Sequence, residues 1–114
     1  MSSKETGRKA EEAAASYLEM RGFKVLEQNW RRPRCEVDII ASKDGAVHFV
    51  EVKYRYDNQQ GGGLEAITQT KLRSMRMGAE MWVSEAKWSG QYVLSGIEVA
   101  GSTYSIMSFV ENIL

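Results

Sequence analysis

Carboxylates and an amine interrupt two neighbouring apolar segments of the chain. The first segment, "CEVDIIA", carries Glu36 and Asp38. The second, "AVHFVEVK", carries Glu51 and Lys53. An acid and an amine separated by one residue are common on the surface of a strand, so this pair alone is weak evidence. Three acids and an amine gathered in the two most strand-like segments indicate either a polar sheet face or a site for chemistry.

The turn between these segments predicts how their acids meet. "SKDG" contains an Asp-Gly pair, which favours a tight hairpin between two strands. One register of that hairpin places Asp38 near Glu51. Alternate residues of a strand point to the same face, so Val37 and Ile39 should share one face of the sheet. Ile40 should then lie on the face of Asp38.

Acids brought together in this way need a positive partner. Two like charges about 4 Å apart repel by roughly 4 kcal/mol at an effective dielectric near 20, so a proton, a cation or Lys53 must offset them. Oxygen ligands without a nearby histidine or cysteine pair suit Mg²⁺ or Mn²⁺. Such an ion would polarise a phosphoryl oxygen and acidify a water. Lys53 would stabilise the negative charge that develops on the phosphate.

The alternative is a purely structural role for the same residues. Glu51 and Lys53 could form a surface pair, and Glu36 and Asp38 could face solvent from an edge strand. The residues therefore predict a metal-assisted phosphodiester site but leave this second interpretation open.

A helix before the strands supplies a further acid. Residues 5–21 are rich in alanine and have apolar residues near helical spacing, with Thr6 as the expected N-cap and Gly22 as the expected terminator. Glu11 lies on the inward stripe of this helix, whereas Glu12 turns toward solvent. The pattern therefore aims one carboxylate of the helix at the sheet.

The remaining pattern completes an α/β domain. A strand at 23–30 is broken by Pro33, and a helix at 64–86 follows the hairpin strands. Two more strands, "QYVLSGIEVAG" and "TYSIMSFVENIL", end the chain. The order α-β-β-β-α-β-β predicts one mixed sheet with helices packed over it. The inward stripe of the second helix comprises Leu64, Ile67, Met75, Ala79 and Trp82.

Lys71 lies midway along that apolar stripe. A buried amine is costly unless it is paired. Lys71 could extend its ammonium to the helix edge, or it could contact an acid of the site or a phosphate. The glycine-rich segment "DNQQGGG" before this helix could be a flap over a substrate or a simple connection.

Composition sets wider limits. The 114 residues predict a single domain, and fifteen basic against fifteen acidic residues give no net charge that would indicate nucleic-acid binding. The lone Cys35 excludes an internal disulfide and a multi-cysteine zinc site. No apolar run approaches the ~18 residues of a membrane span, and the N-terminus lacks a signal-like apolar core, so we expect a cytoplasmic protein. Local positive surface could still contact phosphates through Arg31, Arg32, Arg34, Arg55 and Lys71.

Several blocks in order resemble a known family. "TGRKAEEAAASYLEMRGFKVLEQNWR", "CEVDIIA", "FVEVKYR" and "AITQTKLRSM" are similar to successive blocks of the YraN-like family of small bacterial proteins. The "D…EVK" pattern after a helical glutamate resembles the PD-(D/E)xK nuclease superfamily, to which archaeal Holliday junction resolvases are also related. The resemblance implies a restriction-endonuclease-like three-layer sandwich, with a mixed central sheet flanked by helices.

The resemblance also implies roles for individual residues. It places Glu11, Asp38, Glu51 and Lys53 in a catalytic core, with Glu36 as a supporting acid. It implies Mg²⁺ or Mn²⁺ held by Asp38, Glu51 and Glu11, hydrolysis of DNA (branched or damaged DNA included), and the homodimer used by the resolvase relatives. Two other functions stay open: a non-catalytic module that binds nucleic acid or a protein partner, and an RNA-directed nuclease.

One departure from the family pattern concerns Cys35, which stands where the family has glycine. A cysteine would be strained there by roughly 1–3 kcal/mol if the position required positive φ. The single histidine, His48, should lie on the opposite face of its strand from Glu51. We therefore expect Cys35 to be a small residue at a strand start and not a nucleophile, and His48 to be an ordinary sheet residue.

Overall fold

A computed structural model describes residues 3–56 and 67–113, and their helices and strands follow the predicted order α-β-β-β-α-β-β. The segment 57–63 and Leu64 lie outside the described residues. Neither helix of the described part has the length and apolar character needed to cross a membrane. The elements are α1 (Ser3–Met20), β1 (Lys24–Arg32), β2 (Cys35–Lys43), β3 (Ala46–Arg55), α2 (Gln69–Ala86), β4 (Gln91–Ala100) and β5 (Ser105–Glu111).

The strands form one sheet in the order β1-β2-β3-β4-β5. Three neighbouring pairs are antiparallel, and β3 and β4 are parallel. A parallel pair needs a long crossover between its strands, and α2 lies in that crossover. The predicted mixed sheet is therefore confirmed.

The two helices cover opposite faces of the sheet. Leu18 of α1 packs in an apolar cluster with Ile39 and Val50. Met75 of α2 packs in a second cluster with Phe49. Phe49 and Val50 are consecutive, so their clusters must lie on the two sides of β3. The result is three layers, with the sheet between α1 and α2.

The first helix begins earlier than expected. It starts at Ser3, so Thr6 lies within the helix and the predicted N-cap is wrong. Threonine inside a helix costs well under 1 kcal/mol relative to alanine, and Glu5 favours the first turn through the helix dipole. The predicted end is confirmed, because Gly22 adopts φ +90° after the last turn.

The second helix begins later than expected. Ile67 and Thr68 are not helical, and α2 starts at Gln69. Thr68 is its N-cap, since the Thr68 side chain accepts a hydrogen bond from the backbone N–H of Lys71 at 3.1 Å. The predicted start near Leu64 is therefore wrong. Of the predicted inward stripe, Met75, Ala79 and Trp82 are buried and Ile67 is half-buried.

The β2–β3 hairpin follows the sequence prediction. Asp44 and Gly45 form its two-residue turn, both with positive φ (51° and 80°), and Lys43 pairs with Ala46 on either side. Counting residues back from this turn fixes all the remaining pairs of the hairpin. The last pair in that ladder is Ile39 with Val50.

Beyond that last pair the sheet opens into a fork. β2 continues to pair with β1 as far as Cys35, although it no longer pairs with β3. The face alternation of β2 also breaks there, because Val37 and Ile40 pack in the α2 cluster while Ile39 packs in the α1 cluster. The prediction that Val37 and Ile39 share a face is therefore wrong.

Candidate active site

Asp38 and Glu51 meet at the fork between β2 and β3. Ile39 and Val50 form the last pair of the ladder. Asp38 directly precedes Ile39, and Glu51 directly follows Val50. The backbone N–H of Val52 donates to Asp38 Oδ2 at 2.8 Å, so the aspartate side chain satisfies a donor that the β2–β3 ladder no longer reaches. Glu51 forms a side-chain hydrogen bond with Asp38. The predicted proximity of these two carboxylates is confirmed.

Glu51 is the most deeply buried acid of this group, with 4% of its surface exposed. Burial, together with the hydrogen bond and charge of Asp38, raises the pKa of Glu51 from 4.5 to about 8. Lys71 and Lys53 oppose this shift without cancelling it. The raised pKa favours the protonated form of Glu51, and a proton on this side chain relieves the repulsion between the two acids.

Two ammonium groups face Glu51 from different elements. Lys53 Nζ of β3 lies 3.7 Å from Glu51 Oε2. Lys71 Nζ of α2 lies 3.5 Å from Glu51 Oε1 and 3.6 Å from Glu36 Oε1. Burial works to lower the pKa of Lys71, but Glu51, Asp38 and Glu36 outweigh it, and the pKa of Lys71 is raised. Of the two fates predicted for Lys71, contact with acids of the site is confirmed.

Glu11 approaches the same cluster from α1. It is half-buried whereas Glu12 is exposed, as the helical pattern predicted. Burial is the main cause that raises the pKa of Glu11, and the nearby charge of Asp38 adds to it. A side-chain hydrogen bond with Asn29 acts in the opposite direction by favouring the carboxylate. Three elements, α1, β2 and β3, therefore bring acids to one region.

Asn29 is a residue of the site that sequence reasoning missed. It lies between Gln28 and Trp30, which pair with Ile39 and Val37, so it stands opposite Asp38 in β1. Its φ of +52° is left-handed, and this departure from strand geometry coincides with the broken alternation of β2. Asparagine tolerates this conformation better than most residues. The available signal was an asparagine inside a strand, where it is uncommon.

The arginines of the β1–β2 turn border an open cleft beside the carboxylates. We call it the arginine cleft; its volume is about 340 Å³. Arg31 Nε lies 3.2 Å from Glu36 Oε2, which holds one guanidinium at the rim. Arg32 instead forms two hydrogen bonds with Glu85 and lies over the ring of Trp30. The lining residues are Arg31, Arg32, Arg34, Cys35, Glu36, Lys71 and Ser74.

Arg55 is not part of the arginine cleft. Its Nη2 lies 2.8 Å from Glu98 Oε1, and only 18% of its side chain is exposed. This ion pair joins β3 to β4, and Arg55 is not among the residues that line the cleft. The partner of Arg55 lies on a strand distant in sequence, and the role of Arg55 as a phosphate contact stays a prediction.

The donor set at the fork limits what metal could bind. Within residues 3–56 and 67–113, no group of three or more histidine, cysteine or acidic side chains is arranged to hold an ion. Asp38 and Glu51 offer two carboxylates. Mg²⁺ keeps several waters and is commonly bound through one or two carboxylates, so the pair fits a partly hydrated ion. Glu11 as a third ligand stays a prediction.

Cys35 and His48 are both placed by packing. Cys35 is buried in the α2 cluster, and the left-handed residue of the turn is Arg34 (φ 72°), so the missing family glycine imposes no positive φ on cysteine. His48 Nδ1 lies 3.0 Å from Ser95 Oγ, and its ring meets Phe23 edge-on. As predicted, His48 is on the opposite face of β3 from Glu51. Cys35 packs on the α2 side of the sheet and His48 on the α1 side, so the two are separated.

Comparison with other sequences places the site in a family context. The model of the "Uncharacterised protein family UPF0102" matches residues 10–101. A UPF0102 protein of Cytophaga hutchinsonii is 34% identical over 91 residues, 80% of each chain. One from Mycolicibacterium gilvum is 42% identical over 72% of this chain and 70% of its own. One from Chlorobium chlorochromatii is 37% identical over 85% of this chain and 73% of its own.

Proposed function

This chain belongs to the uncharacterised protein family UPF0102, and we propose that it is a metal-dependent endonuclease that hydrolyses phosphodiester bonds of DNA. A PD-(D/E)xK nuclease core with a restriction-endonuclease-like fold is part of the proposal. The observation that carries it is the buried Glu51 held beside Asp38, with the amines of Lys53 and Lys71 adjacent. Carboxyl groups with a strongly raised pKa are concentrated at functional sites.

The acids would hold the ion that the reaction requires. Bound Mg²⁺ or Mn²⁺ would supply a Lewis acid and lower the pKa of an attacking water. Asp38 and Glu51 are the direct ligands on this proposal, and Glu11 holds the ion directly or through a water. Glu51 releases its proton when the ion binds, so metal affinity should rise with pH toward about 8.

The basic residues would act on the phosphate. Lys53 has 36% of its side chain exposed, so its ammonium is able to reach a phosphoryl oxygen and stabilise the charge that develops there. Lys71 holds Glu36 and Glu51 in place from the opposite helix. Glu36 in turn positions Arg31 at the rim of the arginine cleft. Arg34 and Arg31 are the residues of this cleft that we expect to contact flanking phosphates.

The test is a cleavage assay on linear, branched and single-stranded DNA and on RNA, each with Mg²⁺, Mn²⁺ or Ca²⁺. We expect Mg²⁺- or Mn²⁺-dependent cleavage of DNA, reduced about 100-fold or more by Asp38→Asn and by Lys53→Met. Glu19→Gln, on an exposed position of α1, serves as the charge-matched control for Asp38→Asn. Equal cleavage by the wild type and both site variants would refute the proposal, and preferential cleavage of RNA would reassign the substrate.

A second candidate function is a non-catalytic module that binds nucleic acid or a protein partner. It is favoured by the contacts that Glu51 already makes, since each of its oxygens lies near an ammonium, at 3.7 Å from Lys53 and 3.5 Å from Lys71. Such a site needs no ion to be stable. Calorimetric titration with Mn²⁺ separates the two functions: the endonuclease binds the ion and loses binding on Asp38→Asn, whereas the module gives no heat of binding.

A further inference from the structure

A second cleft lies beside the arginine cleft, between the first turns of α1 and the middle of β1. We call it the helix cleft; its volume is about 540 Å³. Arg31 lines both clefts, so they meet at the Arg31–Glu36 ion pair next to the carboxylates. The residues that line the helix cleft are Lys4, Glu5, Gly7, Arg8, Glu11, Asn29 and Arg31.

Two cations of the helix cleft and one of its acids follow a line along α1. Lys4, Arg8 and Glu11 are spaced i, i+4, i+7, which puts them on one face of the helix. From Glu11 to Lys4 the axis rises about 10 Å. Measured along the axis of a DNA duplex, one strand carries about three phosphates over that distance. The spacing therefore suits a phosphodiester backbone that runs from the acidic cluster toward the start of α1.

The wall of the helix cleft is open to such a backbone. A Cβ added at Gly7 would meet nothing within 4 Å, so no side chain of the described residues closes this part of the helix surface. Among the described residues, Arg8 pairs with Glu12 on the exposed side of α1, and 57% of its side chain is accessible. Arg31 is 73% exposed in its pair with Glu36. Exposed ion pairs are weak, so either guanidinium can exchange its partner for a phosphate.

We propose that the helix cleft binds the phosphodiester backbone of the DNA strand being cleaved, with Lys4 and Arg8 as phosphate contacts on one side of the scissile bond. The arginine cleft, through Arg34, binds the same strand on the other side, and Arg31 lies where the two paths join. This inference rests on the proposed endonuclease function. It also offers a local route to nucleic-acid binding for a chain without net positive charge, because lysine and arginine side chains line both clefts.

The test is equilibrium binding to a fluorescent DNA duplex in the presence of EDTA, which stops cleavage, over a series of salt concentrations. Lys4→Gln with Arg8→Gln should raise Kd about tenfold at low salt and reduce the slope of log K against log salt by about 2. The control, Lys24→Gln with Arg21→Gln, removes the same charge from exposed positions at the far end of α1 and should leave both values near wild type.

The outcomes separate this inference from the proposed function. Charge-preserving exchange, Lys4→Arg with Arg8→Lys, should retain the salt slope of the wild type if the two positions contact phosphates. If the glutamine double variant and its control bind equally well, the helix cleft is not a contact surface, although the endonuclease proposal survives. If the wild type binds no DNA and cleaves none, the proposed function fails first, and the inference fails with it.

Discussion

Glu51 and His48 are two buried ionisable side chains only three residues apart in β3, yet they have opposite surroundings. Glu51 is 4% exposed and His48 is 7% exposed. Each lies on a different face of the sheet, and burial shifts each toward its neutral form by raising the pKa of Glu51 and lowering that of His48. Burial alone therefore does not distinguish a functional group from a structural one.

The surroundings of His48 and Glu51 differ in strand pairing and in the partners of the two side chains. His48 lies within the regular β2–β3 ladder, where it pairs with Ala41, and its Nδ1 is satisfied by the hydroxyl of Ser95. Glu51 lies just beyond the end of that ladder, where Asp38 adds a second carboxylate. A satisfied histidine packed among aromatic rings stabilises a core. Two carboxyl groups beside an open cleft of arginines instead leave room for another ligand, which the endonuclease proposal requires.

The sharpest contrast is expected in cleavage. Glu51→Gln keeps the size of the side chain but removes the charge that would hold Mg²⁺, so cleavage of DNA should fall about 100-fold or more. His48→Asn keeps a polar atom near the position of Nδ1 and should change the rate by less than about threefold. Initial rates under saturating Mg²⁺ measure both effects, and similar losses in the two variants would contradict the assignment of the site to one face.

The same substitution, Glu51→Gln, should lower cleavage but raise the free energy of unfolding at high pH. Between pH 4.5 and about 8 the folded protein holds a proton that the unfolded chain has released, so the free energy of unfolding falls as pH rises through this range. Without metal, Glu51→Gln removes that loss and should stabilise the protein by about 2 kcal/mol at pH 9, below the ceiling of roughly 5 kcal/mol that the shift allows. Denaturant unfolding at pH 5 and pH 9 measures the difference, which should be near zero at pH 5.

His48 provides the matched control for that experiment, with the reverse sign. Its pKa is lowered by burial, while Glu111 acts to raise it and Lys43 to lower it. The wild type should therefore lose stability as pH falls below 6.5, where the unfolded chain gains a proton that the folded state resists. His48→Asn should flatten this part of the profile without altering the loss between pH 5 and 9 at Glu51.

The smallest change in stability is expected on substitution of Asn29. This substitution tests whether the left-handed residue opposite Asp38 helps to form the site around Glu51. Asn29→Ala places a less tolerant residue at φ +52° and should lower the free energy of unfolding by about 1 kcal/mol. Asn29→Gly accepts the left-handed backbone and should change stability much less, but both variants lose the hydrogen bond to Glu11. Reduced Mn²⁺ affinity in Asn29→Gly, measured by calorimetry, would show that the amide positions Glu11; unchanged affinity would limit Asn29 to backbone geometry.

Local patterns predicted much of this protein. The Asp44–Gly45 turn was recognised from two residues, and it set the register that brings Asp38 to Glu51. The helical period identified Glu11 as the inward acid of α1. Ordered motif blocks predicted a YraN-like protein, and membership of UPF0102 confirms that resemblance at the level of the family. The nuclease activity and its metal stay proposals.

Other features lay beyond any local pattern. Strict alternation failed between Val37 and Ile39, where the facing residue of the neighbouring strand, Asn29, has left-handed backbone geometry. Thr68 was passed over as a cap since the apolar spacing suggested an earlier helix start. Arg55 looked like a phosphate ligand in sequence, but Glu98 pairs with it from the parallel strand β4.

By itself the sequence determined the order of elements, the tight turn and the facing of the two hairpin acids, because each depends on counting residues across a short, stiff segment. Only the tertiary structure decided which of those acids is buried, which amines reach it and where the open surface lies. Burial and charge environment arise from groups that the fold brings together from distant positions, as Lys71 of α2 does for Glu51 of β3. In the proposed chemistry, strand register therefore decides which side chains meet at the site. The packing around those side chains decides whether they are protonated.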